Sequence, residues 1–90
     1  MAKKRERLEI IRDILEVIKE KRHIKPTKLL HSSNLSTQMF KEYITLTISR
    51  ELIEEVLIKK KKFFTLTDKG RDFLEEYKSI ERVIRTFGLD

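Results

Sequence analysis

Residues 26–50 read PTKLLHSSNLSTQMFKEYITLTISR, and this stretch decides the fold. Pro26 stops a helix arriving from upstream and biases Lys25 away from helical angles, yet its fixed φ suits the first turn of a new helix. A short helix over 26–32 is expected, ended by Ser32, Ser33 and Asn34, which prefer turns. The chain then reopens at Leu35-Ser36. The Ser36 hydroxyl is an N-cap acceptor for the N–H of Gln38 or Met39, and Leu35 and Phe40 stand where a hydrophobic staple needs them. The helix that follows, over 36–50, has two unlike faces. Phe40, Tyr43, Ile44 and Thr47 make one, while Thr37, Gln38, Lys41 and Thr45 fall within an arc of about 100° on another.

Upstream, Leu8, Ile11, Ile14, Leu15 and Ile18 form a helical stripe, widened by Ile10 and Val17. Lys19, Lys21 and Arg22 suit the negative end of that helix, expected over 5–22. Downstream, Leu52–Ile58 and Phe63–Leu66 are β-branched and aromatic runs around Lys59–Lys62. They predict a β-hairpin over 53–66. Its tip lacks Gly and Asn, so the residues leave the turn type open. The competing reading prolongs the third helix through Val56-Leu57-Ile58. Thr67 is an N-cap, with Asp68 and Asp72 at the positive end of a last helix over 67–87 that Gly88 stops. Within it Phe73, Tyr77, Ile80, Ile84 and Phe87 are spaced as a heptad seam among charged residues. The order helix, helix, helix, hairpin, helix predicts a mainly α winged helix-turn-helix filling 1–90 as one domain.

Composition narrows the function classes. Hydrophobic residues are 39% of the chain, too many for disorder despite 40% charged residues. A net charge of +6 and a pI near 9.7 fit a polyanionic partner, although Lys/Glu/Ile-rich chains are also what hyperthermophiles make. With no cysteine there is neither a disulfide nor a thiolate metal site, and His23 and His31 lack ligand spacing, so neither metal nor other cofactor is expected. Only two glycines occur, Gly70 and Gly88, which excludes a glycine-rich phosphate loop. The carboxylates lie in mixed-charge helices, and no Ser, Thr or Tyr has an evident activating partner. The chain is read as a non-enzyme without a small-molecule substrate. Charges interrupt Leu8–Ile18, so neither a signal peptide nor a membrane span is read there. A soluble, cytoplasmic, nucleoid-associated protein without a membrane partner is the expectation.

Particular residues carry a resemblance. Asn34-Leu35-Ser36, Phe40, Tyr43-Ile44 and Leu52-Ile53-Glu54 resemble the recognition-helix signature of small archaeal winged-helix proteins. Phe64-Thr65-Leu66-Thr67-Asp68-Lys69-Gly70-Arg71-Asp72-Phe73-Leu74 is similar to their strand-to-helix junction: an aromatic, Leu-Thr, two residues, Gly, then an aliphatic pair. The opening Lys-Lys-Arg, followed by Leu8 to Leu15, fits as well. The pattern resembles the archaeal DNA-binding proteins of roughly 10 kDa, the size of this 10.9 kDa chain, that dimerise through an antiparallel C-terminal coiled coil. The resemblance covers nearly the whole chain and implies a transcriptional regulator or chromatin-associated protein. Two departures stand out. Glu51 replaces a usual Gly, which would accept a left-handed conformation more easily, and the last helix is shorter than in the coiled-coil members.

In such a fold Gln38 is placed to pair with adenine, Lys41 with guanine or phosphate, and Thr37 and Thr45 with phosphate or a thymine methyl. The N–H groups around Ser36 face phosphate, and Lys28 on the preceding helix is a backbone contact. Lys59, Lys60, Lys61 and Lys62 are read as wing contacts to backbone or minor groove, against the plainer reading of a solubilising, edge-protecting tip. Lys3, Lys4, Arg5 and Arg7 offer a basic arm, with terminal disorder as the alternative. Phe73, Leu74 and Tyr77 are expected to pack on their own domain. Ile80, Val83, Ile84 and Phe87 would then lie in water at a cost of about 1.5–3 kcal/mol per large side chain. Together with Tyr77 they are assigned to a two-fold homodimer interface. These residues leave parallel or antiparallel open; antiparallel is what the resemblance implies. The partners read are thus double-stranded DNA and a second copy. The alternative is a protein-interaction module within a larger assembly.

Overall fold

A computed structural model describes residues 6–89. Its elements are α1 (Arg7–Lys21), β1 (His23–Ile24), α2 (Pro26–Ser33), α3 (Thr37–Ser49), β2 (Ile53–Ile58), β3 (Lys61–Leu66) and α4 (Asp68–Thr86). Of the proposed basic arm, Lys3, Lys4 and Arg5 lie outside the described residues. Arg7 opens α1, exposed.

The apolar stripe of α1 forms the floor of the core. Ile14, Leu15 and Ile18 are essentially buried and meet Leu29 of α2, Phe40 and Ile44 of α3, Ile53 and Phe64 of the sheet, and Leu74 of α4. Proline opens α2, as its fixed φ allows, and Asn34 closes it in the left-handed region (φ 58°, ψ 27°) that Asn tolerates. Buried Ser33 donates its hydroxyl to the Leu30 carbonyl at 2.7 Å and accepts the Leu35 N–H at 3.2 Å. The tight turn between α2 and α3 is therefore hydrogen-bonded from within.

The wing is a strand pair, not a helical extension. β2 and β3 are antiparallel, from Ile53 opposite Leu66 to Ile58 opposite Lys61. The sheet has a third member beyond the expected hairpin. β1 adds to the other edge of β3, with His23 opposite Thr65 and Ile24 opposite Phe64, in the order β1-β3-β2. Thr65 fixes this edge by donating its hydroxyl to the Arg22 carbonyl at 2.9 Å, and the His23 and Phe63 rings meet edge to face at 5.0 Å.

Glu51 adopts the left-handed conformation (φ 61°) that glycine would accept more easily. The exit from α3 is a Schellman cap: the Glu51 N–H reaches the Ile48 carbonyl and the Leu52 N–H the Thr47 carbonyl, both at 2.9 Å. Thr67 locks the same corner. Its hydroxyl lies 2.6 Å from the Glu51 carbonyl and 2.9 Å from that of Leu52, and it accepts the Gly70 N–H at 3.0 Å as the cap of α4. Gly70 is the close approach that this corner needs, since a Cβ there would lie 2.2 Å from the Leu52 carbonyl oxygen.

Candidate nucleic-acid interface

The two faces of α3 separate as their spacing requires. Phe40, Ile44 and Thr47 are buried and Tyr43 is half-buried, whereas Thr37, Gln38, Lys41 and Thr45 are all exposed. Thr47 is a polar residue on the core face. It is satisfied there, because its hydroxyl donates back to the Tyr43 and Ile44 carbonyls at 2.9 and 3.1 Å. Ser36 caps the helix by accepting the Met39 N–H at 3.2 Å. That leaves the N–H groups of Thr37 and Gln38 at the positive end of the helix without an intrahelical acceptor. Lys28 is exposed on α2.

The wing carries its charges in two zones. Glu51, Glu54 and Glu55 lie at or near its root, where they line one groove with Asp68; Lys59 to Lys62 form its tip. Lys59 and Lys60 are the entire turn, with φ of 51° and 66°, closed by the Ile58–Lys61 pair. Two consecutive positive φ values in a two-residue loop are the mark of a type I′ turn. All four lysines are exposed. Lys61 and Lys62 project to opposite faces of the sheet, and Lys62 lies 3.7 Å from the Glu55 carboxylate. Three of the four thus have no ion pair among the described residues. The sequence reading did not single out Leu57, which is 75% exposed beside this tip. The alternation of β2 gives Leu57 the side shared by core-facing Ile53 and by Glu55, so its exposure shows only once the end of the core is known.

Beyond its first turns α4 leaves the core. Leu74 is buried, Phe73, Tyr77 and Ile84 are half-buried, and Ile80, Val83 and Phe87 are 52%, 51% and 70% exposed. Tyr77 is also engaged within its own chain, because the Arg12 guanidinium lies 5.3 Å from its ring centroid. Burial raises the Tyr77 pKa and the Arg12 charge opposes that shift, while Glu9, Glu81 and Asp13 add to it. For Arg12, burial works against the charge, but the hydrogen bond to Asp13 and the charges of Asp13 and Glu81 outweigh it and raise its pKa. Among the described residues no group of three or more His, Cys, Asp or Glu is placed to hold a metal ion, and no helix is long and apolar enough to cross a membrane.

The family pattern of the winged helix-turn-helix matches residues 4–85, and the chain belongs to that family. Among relatives, it is 35% identical over 81 residues to the uncharacterized protein MJ0290 of Methanocaldococcus jannaschii. That alignment covers 90% of this chain but only 36% of the relative, so the chain spans about a third of that protein's length. Among solved structures, the fold superposes on Sso10a-2, a DNA-binding protein from Sulfolobus solfataricus, with a TM-score of 0.76 at 14% identity, covering 92% of this chain and 85% of the other. F93 from STIV, a winged-helix DNA-binding protein, gives 0.69 at 16% identity over 88% and 92% of the two chains. The oxidized form of MarR from E. coli gives 0.67 at 15% identity over 73% and 48%. The resemblance to small archaeal winged-helix proteins is therefore borne out at the level of family and fold.

Proposed function

We propose that this chain is a non-enzymatic, double-stranded-DNA-binding protein that acts as a homodimer through one winged-helix domain, as a transcriptional regulator or a chromatin-associated protein. In this reading α3 enters the major groove with Thr37, Gln38, Lys41 and Thr45, and the N-terminus of α3 at Ser36 faces a phosphate. Lys28 touches the backbone and Lys59 to Lys62 meet backbone or minor groove. The observation that carries the reading is the division of α3, with every residue of the polar arc exposed while the opposite face is core. The DNA-binding proteins of the same fold, Sso10a-2 and F93, support it.

The dimer rests on the far half of α4. Ile80, Val83 and Phe87 keep half or more of their surface in water, and covering them would gain on the order of 1 kcal/mol each. A second copy supplies the matching apolar stripe about a two-fold axis.

The test is fluorescence anisotropy of a labelled random-sequence duplex across a salt series, with wild type, Gln38→Ala and Lys41→Ala. Affinity should fall steeply with salt. Lys41→Ala should lower the slope, and Gln38→Ala should lower discrimination among sequences selected from a random pool. Binding that neither substitution alters overturns the reading of α3. A regulator should prefer its selected site by about a thousandfold or more, a chromatin protein far less. Sedimentation equilibrium of Val83→Glu tests the dimer, which this variant should dissociate.

A further inference from the structure

Arg12 sits where α1 crosses α4. Its Nε and Nη2 both donate to Asp13 Oδ1, at 3.0 and 2.8 Å, and its Nη1 donates to Glu81 Oε2 at 2.6 Å. The guanidinium also lies over the Tyr77 ring. Its side chain is 21% exposed, and those of Asp13 and Glu81 are about one-third exposed. The fork has a division of roles. Asp13, the next residue on α1, grips one edge and fixes the plane of the guanidinium, which leaves the remaining nitrogen aimed outward at α4. Among the ion pairs of the described residues, Arg12–Glu81 is the one that joins two helices.

This matters because α4 is weakly held beyond its root. Its buried residues are Gly70 and Leu74 alone. The stretch from Leu74 to Thr86 projects about 18 Å at 1.5 Å per residue, and it carries Ile80 and Val83, with Phe87 just past its end. Apolar packing on the core comes from Leu74 and half-buried Phe73 near the root, and leaves the angle of the far half to the tolerance of ordinary helix packing. A directional, charge-assisted contact seven residues further along, two turns up the same helix face, removes that freedom.

We propose that Arg12 is a positioning residue: held over the Tyr77 ring, it clamps Glu81 and sets the angle at which α4 leaves the winged-helix body, and so the separation of the two recognition helices in the dimer. The inference rests on the dimeric reading above. Without the clamp α4 regains the tolerance of ordinary helix packing, about 15°. Acting over half of the 48 Å long axis, that rotation displaces a recognition helix by roughly 6 Å, close to two base-pair rises of about 3.4 Å. Half-site spacing would no longer be defined.

The chain has no cysteine, so Gln38→Cys on α3 accepts a single spin label per copy. Pulsed dipolar spectroscopy of the labelled full chain then reads the distance between the two recognition helices without DNA. Wild type at every other position should give one narrow distance. Glu81→Arg, and more mildly Glu81→Gln, should move or broaden it by roughly 6 Å, and the exchanged pair Arg12→Glu/Glu81→Arg should restore it in part. A distance that neither Glu81 variant alters overturns the clamp while leaving the dimer intact. No dipolar coupling in the parent protein overturns the dimer itself, and the clamp's role with it.

Discussion

Replacing the wing tip Lys59-Lys60 by Asn-Gly should make the protein more stable and a weaker DNA ligand at once. Both lysines hold positive φ, 51° and 66°. A residue with a Cβ in the left-handed region is disfavoured by roughly 1–2 kcal/mol, a penalty that Gly escapes and Asn largely avoids. Against that gain stands the extra freedom of glycine in the unfolded chain, about 0.4–1 kcal/mol. The net expectation is a gain of about 1 kcal/mol, which in a domain of this size raises the melting temperature by about 4–8 °C. No hydrogen-bond ladder is lost, since the closing pair is Ile58–Lys61 and remains.

The same exchange removes two unpaired positive charges per copy. If each neutralises one phosphate, the slope of log affinity against log salt becomes shallower by about 1.8 per copy. Thermal unfolding followed by circular dichroism, at one fixed protein concentration because the melt of the proposed dimer would depend on concentration, reads the first effect. Anisotropy across a salt series reads the second. An unchanged or lower melting temperature refutes the strain argument, and an unchanged slope removes the tip from the DNA interface.

Gly70→Ala should destabilise the protein by about 2 kcal/mol in chemical denaturation, because the clash with the Leu52 carbonyl outweighs the roughly 1 kcal/mol that Ala gains inside a helix. Glu51→Gly should stabilise it by about 1 kcal/mol in the same assay, since the Schellman cap keeps its hydrogen bonds and loses its strain. Tyr77 supplies a pH test. Burial, with Arg12 opposing, raises its folded pKa above the ordinary 10.0, so its contribution is complete below that pH and is lost as pH rises through the folded value. Urea midpoints should therefore fall on the alkaline side, and Tyr77→Phe, which keeps the ring under Arg12, should flatten that fall.

Helix order and the two faces of α3 were legible in the sequence because apolar spacing dictates them. Phe40, Ile44 and Thr47 must share a side, and the exposed arc of Thr37, Gln38, Lys41 and Thr45 follows by exclusion. β1 was not legible. Two residues show no periodicity, and the strand exists only because β3 offers its second edge to His23 and Ile24. The turn type at the tip was hidden for a different reason. Register from Ile53–Leu66 to Ile58–Lys61 leaves two residues to reverse the chain, and that geometry imposes positive φ on lysines that do not prefer it. The Arg12–Glu81 clamp was least visible, since 69 residues separate its partners and each reads locally as an ordinary helix-surface charge. Leu57 looked like strand interior until the end of the core was known.

The strained residues of this chain differ in what holds them. At Glu51 the surroundings fix the conformation: two cap hydrogen bonds, the Thr67 hydroxyl and the close approach of Gly70 all converge on one corner. Any residue there would be driven to the same φ, so strain at Glu51 follows from the fold. At Lys59 and Lys60 the length of the loop demands positive φ, but nothing in the fold demands lysine, and the next two residues are lysines as well. Backbone preference and like-charge repulsion both oppose that choice, and Glu55 engages only Lys62. A polyanion at the tip reverses the sign of the electrostatic term, because the charges that repel one another across the turn then share a phosphate chain. The wing tip is therefore the place where the free protein's stability and its proposed binding act in opposite directions, and the Asn-Gly exchange separates them.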